Sequence, residues 1–571
     1  MSSTYTPELA KNTSGLKALA KPRPTTAVGP VLRIVTINDV YKLDHYPRVR
    51  SCIEAQQAMA KELDLVVIST LNGDFVAPCE LTGLDGGIRM IEGLNVAGIQ
   101  YVCLGNHEYD LGFAGLRRRL DGFDGTVINS NTFDELLTDL PRYETIQVGA
   151  RTVLLGGFLT EDKSIYAPST TPDVTPITEA CQSLWEEVKT AIGKTPDVFL
   201  PMTHQLTKDD RATASSLAKH KELATRTPVL LAGHDHEVFI EEVGKSLIVK
   251  VGADADNIGI VDIWWTKDGE MKRSCTLVPA DDFPLDKGGE AWVKKQADFV
   301  HSMMSGHLLT LPYAMSSKRV RFEEQGVATF LLSLVKRSLA SESVELVLLQ
   351  GGGVRGGADY EAGPFTIGDL YKEFGFETPQ AVIQLPGYII AESIYNSRSA
   401  AKPAPNFLHL DGDAKVDEDH RLVEVDGMPF EPERLYTISI YQFLLSGLNV
   451  IQPLLSYVQE HVQVPSVEAC PPVKVLVINY CMKENWRALL DVGDVEDPDE
   501  LELLVGQKFE DLDVNGDGVI NQEELLQFVE SLSASGRERI IEKDLVLHMI
   551  RAIDADNDGT VSKDELMALV H

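Results

Sequence analysis

Six side chains of metal-ligating type stand just past apolar runs in the first half of the chain: Asp39, Asp74, Asn106, His204, His234 and His236. The runs are 31–37, 65–70, 101–104, 197–202 and 228–232, the last leading into both His234 and His236. Two carboxylates, an amide and three imidazoles suit a pair of divalent transition metals with one carboxylate bridging them. Any one of these histidines alone would read as a core or surface residue. Their recurrence at successive strand ends carries the metal reading. The stretch Gly105-Asn106-His107-Glu108-Tyr109-Asp110 adds an imidazole and two carboxylates, the groups that proton transfer needs.

Elements that could hold such groups follow from the apolar pattern. Strands are expected at 31–37, 65–70, 101–104, 152–158, 197–202, 228–232, 247–251 and 258–266, with helices at 47–63, 88–96 and 177–192. Alternation of this kind predicts βαβ units and a parallel or mixed sheet whose loops along one edge build a site. Lys267-Asp268-Gly269 reads as a hairpin turn. A helix at 290–304 leads to a second domain with a long helix at 322–339, a strand at 344–349 and the cluster Gly351-Gly352-Gly353 before Arg355. Glycines let a backbone approach a ligand and Arg355 could grip phosphate with two N–H groups. A purely structural turn is equally compatible.

The C-terminal part carries two twelve-residue loops of the calcium-binding helix–loop–helix type. In the first, Asp513, Asn515, Asp517 and Glu524 offer side-chain oxygens and Val519 its carbonyl. In the second, Asp554, Asp556, Asp558 and Glu565 do so with the Thr560 carbonyl. Two Ca²⁺ sites are expected, either sensing or stabilising. The expected organisation is a flexible tail at 1–29, a metal domain at 30–285, an interdomain helix or linker at 286–312, a second domain at 313–484, an acidic linker at 485–500 and the calcium pair at 501–571.

The ordered set Asp39-Val40-Tyr41, Gly73-Asp74, Gly105-Asn106-His107-Glu108, Thr203-His204 and Gly233-His234-Asp235-His236 resembles the calcineurin-like metallophosphoesterases. The hexapeptide ending in Asp110, with the glycine cluster and Arg355, narrows the resemblance to the 5′-nucleotidase / UDP-sugar hydrolase branch. It implies a four-layer α/β/β/α domain, a smaller α/β substrate-binding domain and then an all-α EF-hand pair. It also implies that Asp39, Asp74 and His236 hold one metal, and Asp74, Asn106, His204 and His234 the other, the metals being Zn, Mn or Fe. By the same resemblance His107 protonates the departing ester oxygen, Asp110 orients it, Arg355 holds phosphate, and Phe407 and Phe443 clamp a nucleobase. The chain departs from the family at three positions. Tyr41 stands where a histidine ligand is usual, so that Tyr41 ligates, His45 substitutes, or the position is weak. Gln350 replaces an asparagine, and Asn449 replaces a ribose-binding aspartate.

Composition bounds the partners. A formal charge of −34 over 571 residues opposes long-range attraction to nucleic acid or anionic membrane and favours cations. The seven cysteines are scattered without CxxC pairs, which predicts reduced thiols. No apolar run approaches the ~20 residues of a membrane span, and the first thirty residues lack an apolar signal core. A cytoplasmic location is expected. The expected function is metal-dependent hydrolysis of phosphate esters, above all release of phosphate from nucleotides, with calcium bound at the tail. Two rivals stand beside it: a phosphodiesterase or pyrophosphatase acting on cyclic nucleotides or nucleotide sugars, and a catalytically weak calcium-responsive binding protein.

Overall fold

The run at 31–37 forms β1 (Val31–Ile37), in which every residue is buried. A strand without a polar face has to be covered on both sides, and two sheets with flanking helices do this. In the computed structural model, which describes residues 17–166, 170–399, 405–491, 498–534, 545–556 and 558–569, the chain divides into two compact units, Met1–Phe299 and Val300–His571.

The strands of the first unit that follow β1 are β2 (Leu65–Asn72), β3 (Tyr101–Cys103), β4 (Thr126–Ile128), β5 (Tyr143–Val148), β6 (Arg151–Leu159), β7 (Val198–His204), β8 (Val229–Gly233), β9 (Val238–Val243), β10 (Ser246–Val251), β11 (Asn257–Trp265) and β12 (Met271–Pro279). They form two six-stranded sheets, ordered β12-β11-β1-β2-β3-β4 and β5-β6-β7-β8-β10-β9. The first sheet is parallel from β1 to β4 with β11 and β12 antiparallel at its edge. The second is parallel from β6 through β10 with antiparallel edge strands. The sheets meet face to face through β2 and β3 against β6, β7 and β8, and helices Tyr46–Ala58 and Ile177–Ile192 cover the outer faces. This is the expected four-layer α/β/β/α arrangement. Register brings the chemistry level: Ile37 pairs with Leu71, Asn72 with Cys103, and His204 with Gly233.

Two expectations are corrected in this unit. Residues 17–29 of the expected tail are held against the domain, because buried Arg33 needs more acceptors than its partner Asp262 supplies. Its guanidinium bonds Asp262 at 2.7 and 3.1 Å and also takes the Lys21 and Pro22 carbonyls, while Val28 N–H donates to Trp265 O. Residues 1–16 lie outside the described residues. The helix expected at 47–63 stops at Ala58, where the chain turns toward β2.

The second unit centres on a four-stranded mixed sheet, ordered Gln380–Pro386, Leu435–Tyr441, Leu346–Gln350, Leu408–Leu410. Helix Gly326–Ser338 packs on it, and helix Val473–Leu490 packs on that helix. The Val473–Leu490 helix corrects the linker expected from 485. Trp486, Leu489 and Leu490 are buried, and Trp486 Nε1–H donates to Met549 O at 2.6 Å. The described calcium-pair helices are Pro498–Leu512, Gln522–Ala534, Val546–Ile553 and Lys563–Ala568. Their loops are joined by a two-stranded ladder pairing Val519 with Ser562 and Ile520 with Val561.

Candidate metal centre and substrate pocket

The end of β7 and the turns after β1, β2 and β8 bring their polar residues together. Asp74, His204 and His234 form one group whose ligand atoms all lie within 4.8 Å of one another, and Asp39, Asp74 and His236 form another. Asp74 belongs to both, the position a bridging carboxylate requires. Asp39 (φ 53°), Asp74 (φ 55°), His234 (φ 93°) and His236 (φ 59°) all adopt the left-handed backbone region. Such residues cost about 1–3 kcal/mol each, so the surrounding fold holds these ligating groups in place against local strain.

Neighbouring groups set their orientation. His204 Nδ1 is 2.9 Å from Asn72 O and so carries the proton, leaving Nε2 to face Asp74 Oδ2 at 3.1 Å and Asp39 Oδ1 at 3.8 Å. Asn38 Nδ2–H donates to Asp39 Oδ2 and to Gly252 O, both at 2.6 Å. Close approach leaves no room for a Cβ at Gly105, where it would overlap the Asp74 carboxylate, or at Gly73 (φ 81°), where it would overlap the His204 ring.

Electrostatics at the centre follow from two buried carboxylates. Burial opposes the His204 charge, yet Asp74 and Asp39 hold its pKa up at about 10. Burial likewise works against the Asp74 charge, but His204 and His107 outweigh it and keep Asp74 below the usual carboxylate range. Burial, reinforced by His204, pushes His234 down to about 3. A place that demands positive charge and offers a neutral imidazole suits a cation. The Asn106 amide gives the independent test: its Oδ1 and Nδ2 are both buried with no hydrogen-bond partner. Buried amides are normally satisfied, and a metal bond to Oδ1 would meet that need in part. The donor set therefore fits two cations.

His107 lies beside this centre. Its backbone N–H donates to Asp74 Oδ1 at 3.1 Å, and its Nδ1 is 2.8 Å from Asp110 Oδ2. Tyr41 reaches the same centre, with Oη 2.8 Å from His236 Nε2. His45 does not substitute for it, being engaged through Nδ1 with Asp254 O at 3.0 Å and Asp256 Oδ1 at 3.3 Å.

Two positioning residues carried no such role in the sequence. Glu108 is fully buried and accepts the backbone N–H of Gly105, Asp74, Phe75 and Val76, clamping the turn that presents Asp74. Burial and then Asp74 push its pKa up to about 7, against those N–H bonds. Asp254 accepts the Tyr41 backbone N–H at 3.0 Å, while its own N–H donates to Asp39 O at 2.7 Å.

In the second unit Arg355 lines a cleft of about 380 Å³ together with Arg319 and Arg321. The two further arginines went unmarked because nothing in 317–322 displays a motif by itself. Asn449 Nδ2–H donates to Gln350 Oε1 at 2.7 Å. Phe443 is partly buried, its ring edge-on to Tyr441 at 5.5 Å. Phe407, expected to clamp a nucleobase with Phe443, is 4% exposed, its ring packed under the Arg398 guanidinium at 4.9 Å and against His409 at 5.2 Å.

Both calcium loops close around their acidic residues. Asp513 accepts the N–H of Gly516, Asp517 and Gly518, and Glu524 those of Asn515 and Asn521. Asn515 Oδ1 and Asp517 Oδ1 accept within the same loop, which also turns the Val519 N–H inward. In the second loop Asp554, Asp556 and Glu565 bring ligand oxygens within 4.8 Å of one another, and Asp558 accepts from Thr560.

Two stretches of the chain match families of known proteins. Residues 305–455 match the family described as 5′-nucleotidase, C-terminal domain, and residues 504–570 match the EF-hand domain pair. The chain is 24% identical over 443 residues to endonuclease YhcR of Bacillus subtilis, covering 72% of this chain and 35% of that protein, and so spans about a third of that relative's length. It is 22% identical over 437 residues to protein UshA of Yersinia enterocolitica, covering 64% of this chain and 75% of that one. The NAD nucleotidase structure from Haemophilus influenzae shares the fold with a TM-score of 0.57 at 15% identity, covering 81% of this chain and 97% of that one. The chain is thus of the 5′-nucleotidase fold, with an α/β/β/α unit, a 5′-nucleotidase C-terminal domain and an EF-hand pair in that order.

Proposed function

We propose that the protein is a metal-dependent phosphoric ester hydrolase of 5′-nucleotidase type that releases phosphate from nucleotides and binds calcium through its EF-hands. The sharing of Asp74 between two ligand groups, one with His204 and His234 and one with Asp39 and His236, carries this reading. Bound cations there, of the Zn, Mn or Fe class, supply charge that offsets the phosphoryl oxygens and acidifies water at neutral pH. The rest is the chain's own work. His107, held through Nδ1 by Asp110, presents Nε2 as the proton donor to the departing ester oxygen. Arg319, Arg321 and Arg355 in the second unit give local positive charge to a protein of net charge −34, which an anionic substrate needs. The intact His107–Asp110 pair speaks against a purely binding role. A cytoplasmic location is supported by seven cysteines that are all free thiols.

The test is a hydrolysis panel with the full chain and added Mn²⁺ or Zn²⁺. It comprises nucleoside monophosphates, an aryl phosphate, a cyclic nucleotide, a nucleotide sugar and single-stranded nucleic acid. The phosphodiester members belong there because Phe407 is covered and a similar protein is named an endonuclease. Turnover of monophosphates that vanishes in His107→Ala supports the proposal. No turnover of any substrate, with wild type matching His107→Ala, would end it.

A further inference from the structure

Helix Val473–Leu490 meets the calcium pair at one end and the wall of the arginine cleft at the other. At the calcium end two consecutive residues straddle the second loop. Trp486 Nε1–H donates to Met549 O at 2.6 Å, in helix Val546–Ile553, which enters that loop at Asp554. Arg487 Nη2–H donates to Leu569 O at 3.1 Å, just past helix Lys563–Ala568, which carries the last calcium ligand, Glu565. In sensing loops of this type calcium alters the angle between the helices that enter and leave. The last turn of Val473–Leu490 is therefore held by both arms of the element that calcium would move.

About 20 Å away along the same helix, its first turn grips residues 371–380. Val473 N–H donates to Thr378 O at 3.1 Å, and Gln380 N–H donates to Pro471 O at 3.0 Å. Lys474 Nζ lies 2.7 Å from Glu377 Oε1 and 4.6 Å from the centre of the Tyr371 ring. The same segment sets Arg355. Its backbone N–H donates to Glu373 O at 2.7 Å, and its guanidinium rests over the Phe376 ring at 5.0 Å. Among the described residues that guanidinium donates at long range to Gly352 O, 3.4 Å, and pairs with no carboxylate. With no ion pair to fix it, the position of Arg355 follows residues 373–376. We infer that helix Val473–Leu490 couples calcium binding at the second loop to the Arg355 cleft, with Lys474 as the positioning residue at the junction, so that calcium tightens the hold on the phosphate ester and leaves the chemical step unchanged. The inference takes its ligand from the function proposed above, whereas the coupling belongs to the chain alone. Such coupling is reciprocal, so a bound phosphate ester tightens calcium in turn.

The experiment compares the full chain in chelator and in Ca²⁺ by amide hydrogen exchange, with no transition metal added, and then by steady-state kinetics on adenosine monophosphate with Mn²⁺. Ca²⁺ should slow exchange at 371–380 as well as in the loops, and should lower KM about fivefold or more while kcat stays the same. Lys474→Met should keep the protection of the loops and lose both responses at the cleft. Glu377→Gln, which removes the same contact from its exposed side, should do likewise. Unchanged exchange at 371–380 in wild type would overturn the coupling and leave the hydrolase reading standing. A response that survives in both variants would overturn the role of Lys474. No turnover, with exchange at 371–380 still answering to Ca²⁺, would overturn the hydrolase reading and leave the coupling standing.

Discussion

The side-chain amides of Gln350 and Asn449 meet at 2.7 Å, so two of the positions at which the chain departs from the motifs it resembles are one structural unit. Where the resemblance leads one to expect an aspartate, Asn449 is a neutral donor that is already engaged. Restoring the carboxylate in Asn449→Asp, with Gln350→Asn to free it, should favour ribose-bearing substrates over an aryl phosphate. A hydrogen bond to a charged group contributes about 1.5–3 kcal/mol, so the ratio of kcat/KM values should shift roughly tenfold or more. Steady-state kinetics on both substrates checks this; an unchanged ratio would mean that the pair does not face the sugar.

The His107–Asp110 contact predicts a dependence on the leaving group. His107→Ala should lower kcat by about 10²–10⁴ for nucleoside monophosphates, whose alkoxide must be protonated. For an aryl phosphate with an acidic phenol the loss should be much smaller. Asp110→Asn should fall between wild type and His107→Ala on the nucleotide. Equal losses on both substrates would count against proton donation by His107.

Acid should weaken the second unit through His409. Its Nε2 bonds Val320 O at 2.7 Å, its Nδ1 is buried without a partner, and burial pushes its pKa down to about 4. The unfolded chain, near 6.5, therefore binds the proton more readily than the folded one. Stability is complete above 6.5 and is lost as pH falls from 6.5 toward 4, by about 2–3 kcal/mol. His409→Gln, which keeps a donor for Val320 without titrating, should flatten this slope. Denaturant melts followed across that pH window measure it.

Calcium should stabilise the second unit. Binding to the folded state alone at a hundredfold excess over Kd contributes about 2.7 kcal/mol per site. Chelator should lower the melting temperature, and Glu524→Gln with Glu565→Gln should abolish the difference. Identical melts with and without chelator in wild type would argue against functional loops.

The strand ends of the first unit were legible because each uninterrupted apolar run terminates in a polar cluster, a pattern few structures other than a covered sheet produce. Glu108 was not legible as a clamp, since its partners are four backbone N–H groups and a sequence displays only side chains. The same applies to residues 17–29, whose anchor is the pair of carbonyls that Arg33 takes. The cover on Phe407 was not legible because Arg398, which packs over its ring, belongs to a separate helix with no local sign of the contact. The linker was drawn too early because the acidity past residue 491 masks a helix whose last turn buries Trp486, Leu489 and Leu490.

That last turn changes what the EF-hand pair is. With Trp486 donating to Met549 O and Arg487 Nη2–H donating to Leu569 O, the helix that backs the sheet of the second unit also serves as the floor of the calcium module. The module is not a pendant that can be cut away at 490: its removal would strip cover from Trp486 and its apolar neighbours. Calcium loops and sheet share one core, so they should melt as a single calorimetric transition whose position reports the ion.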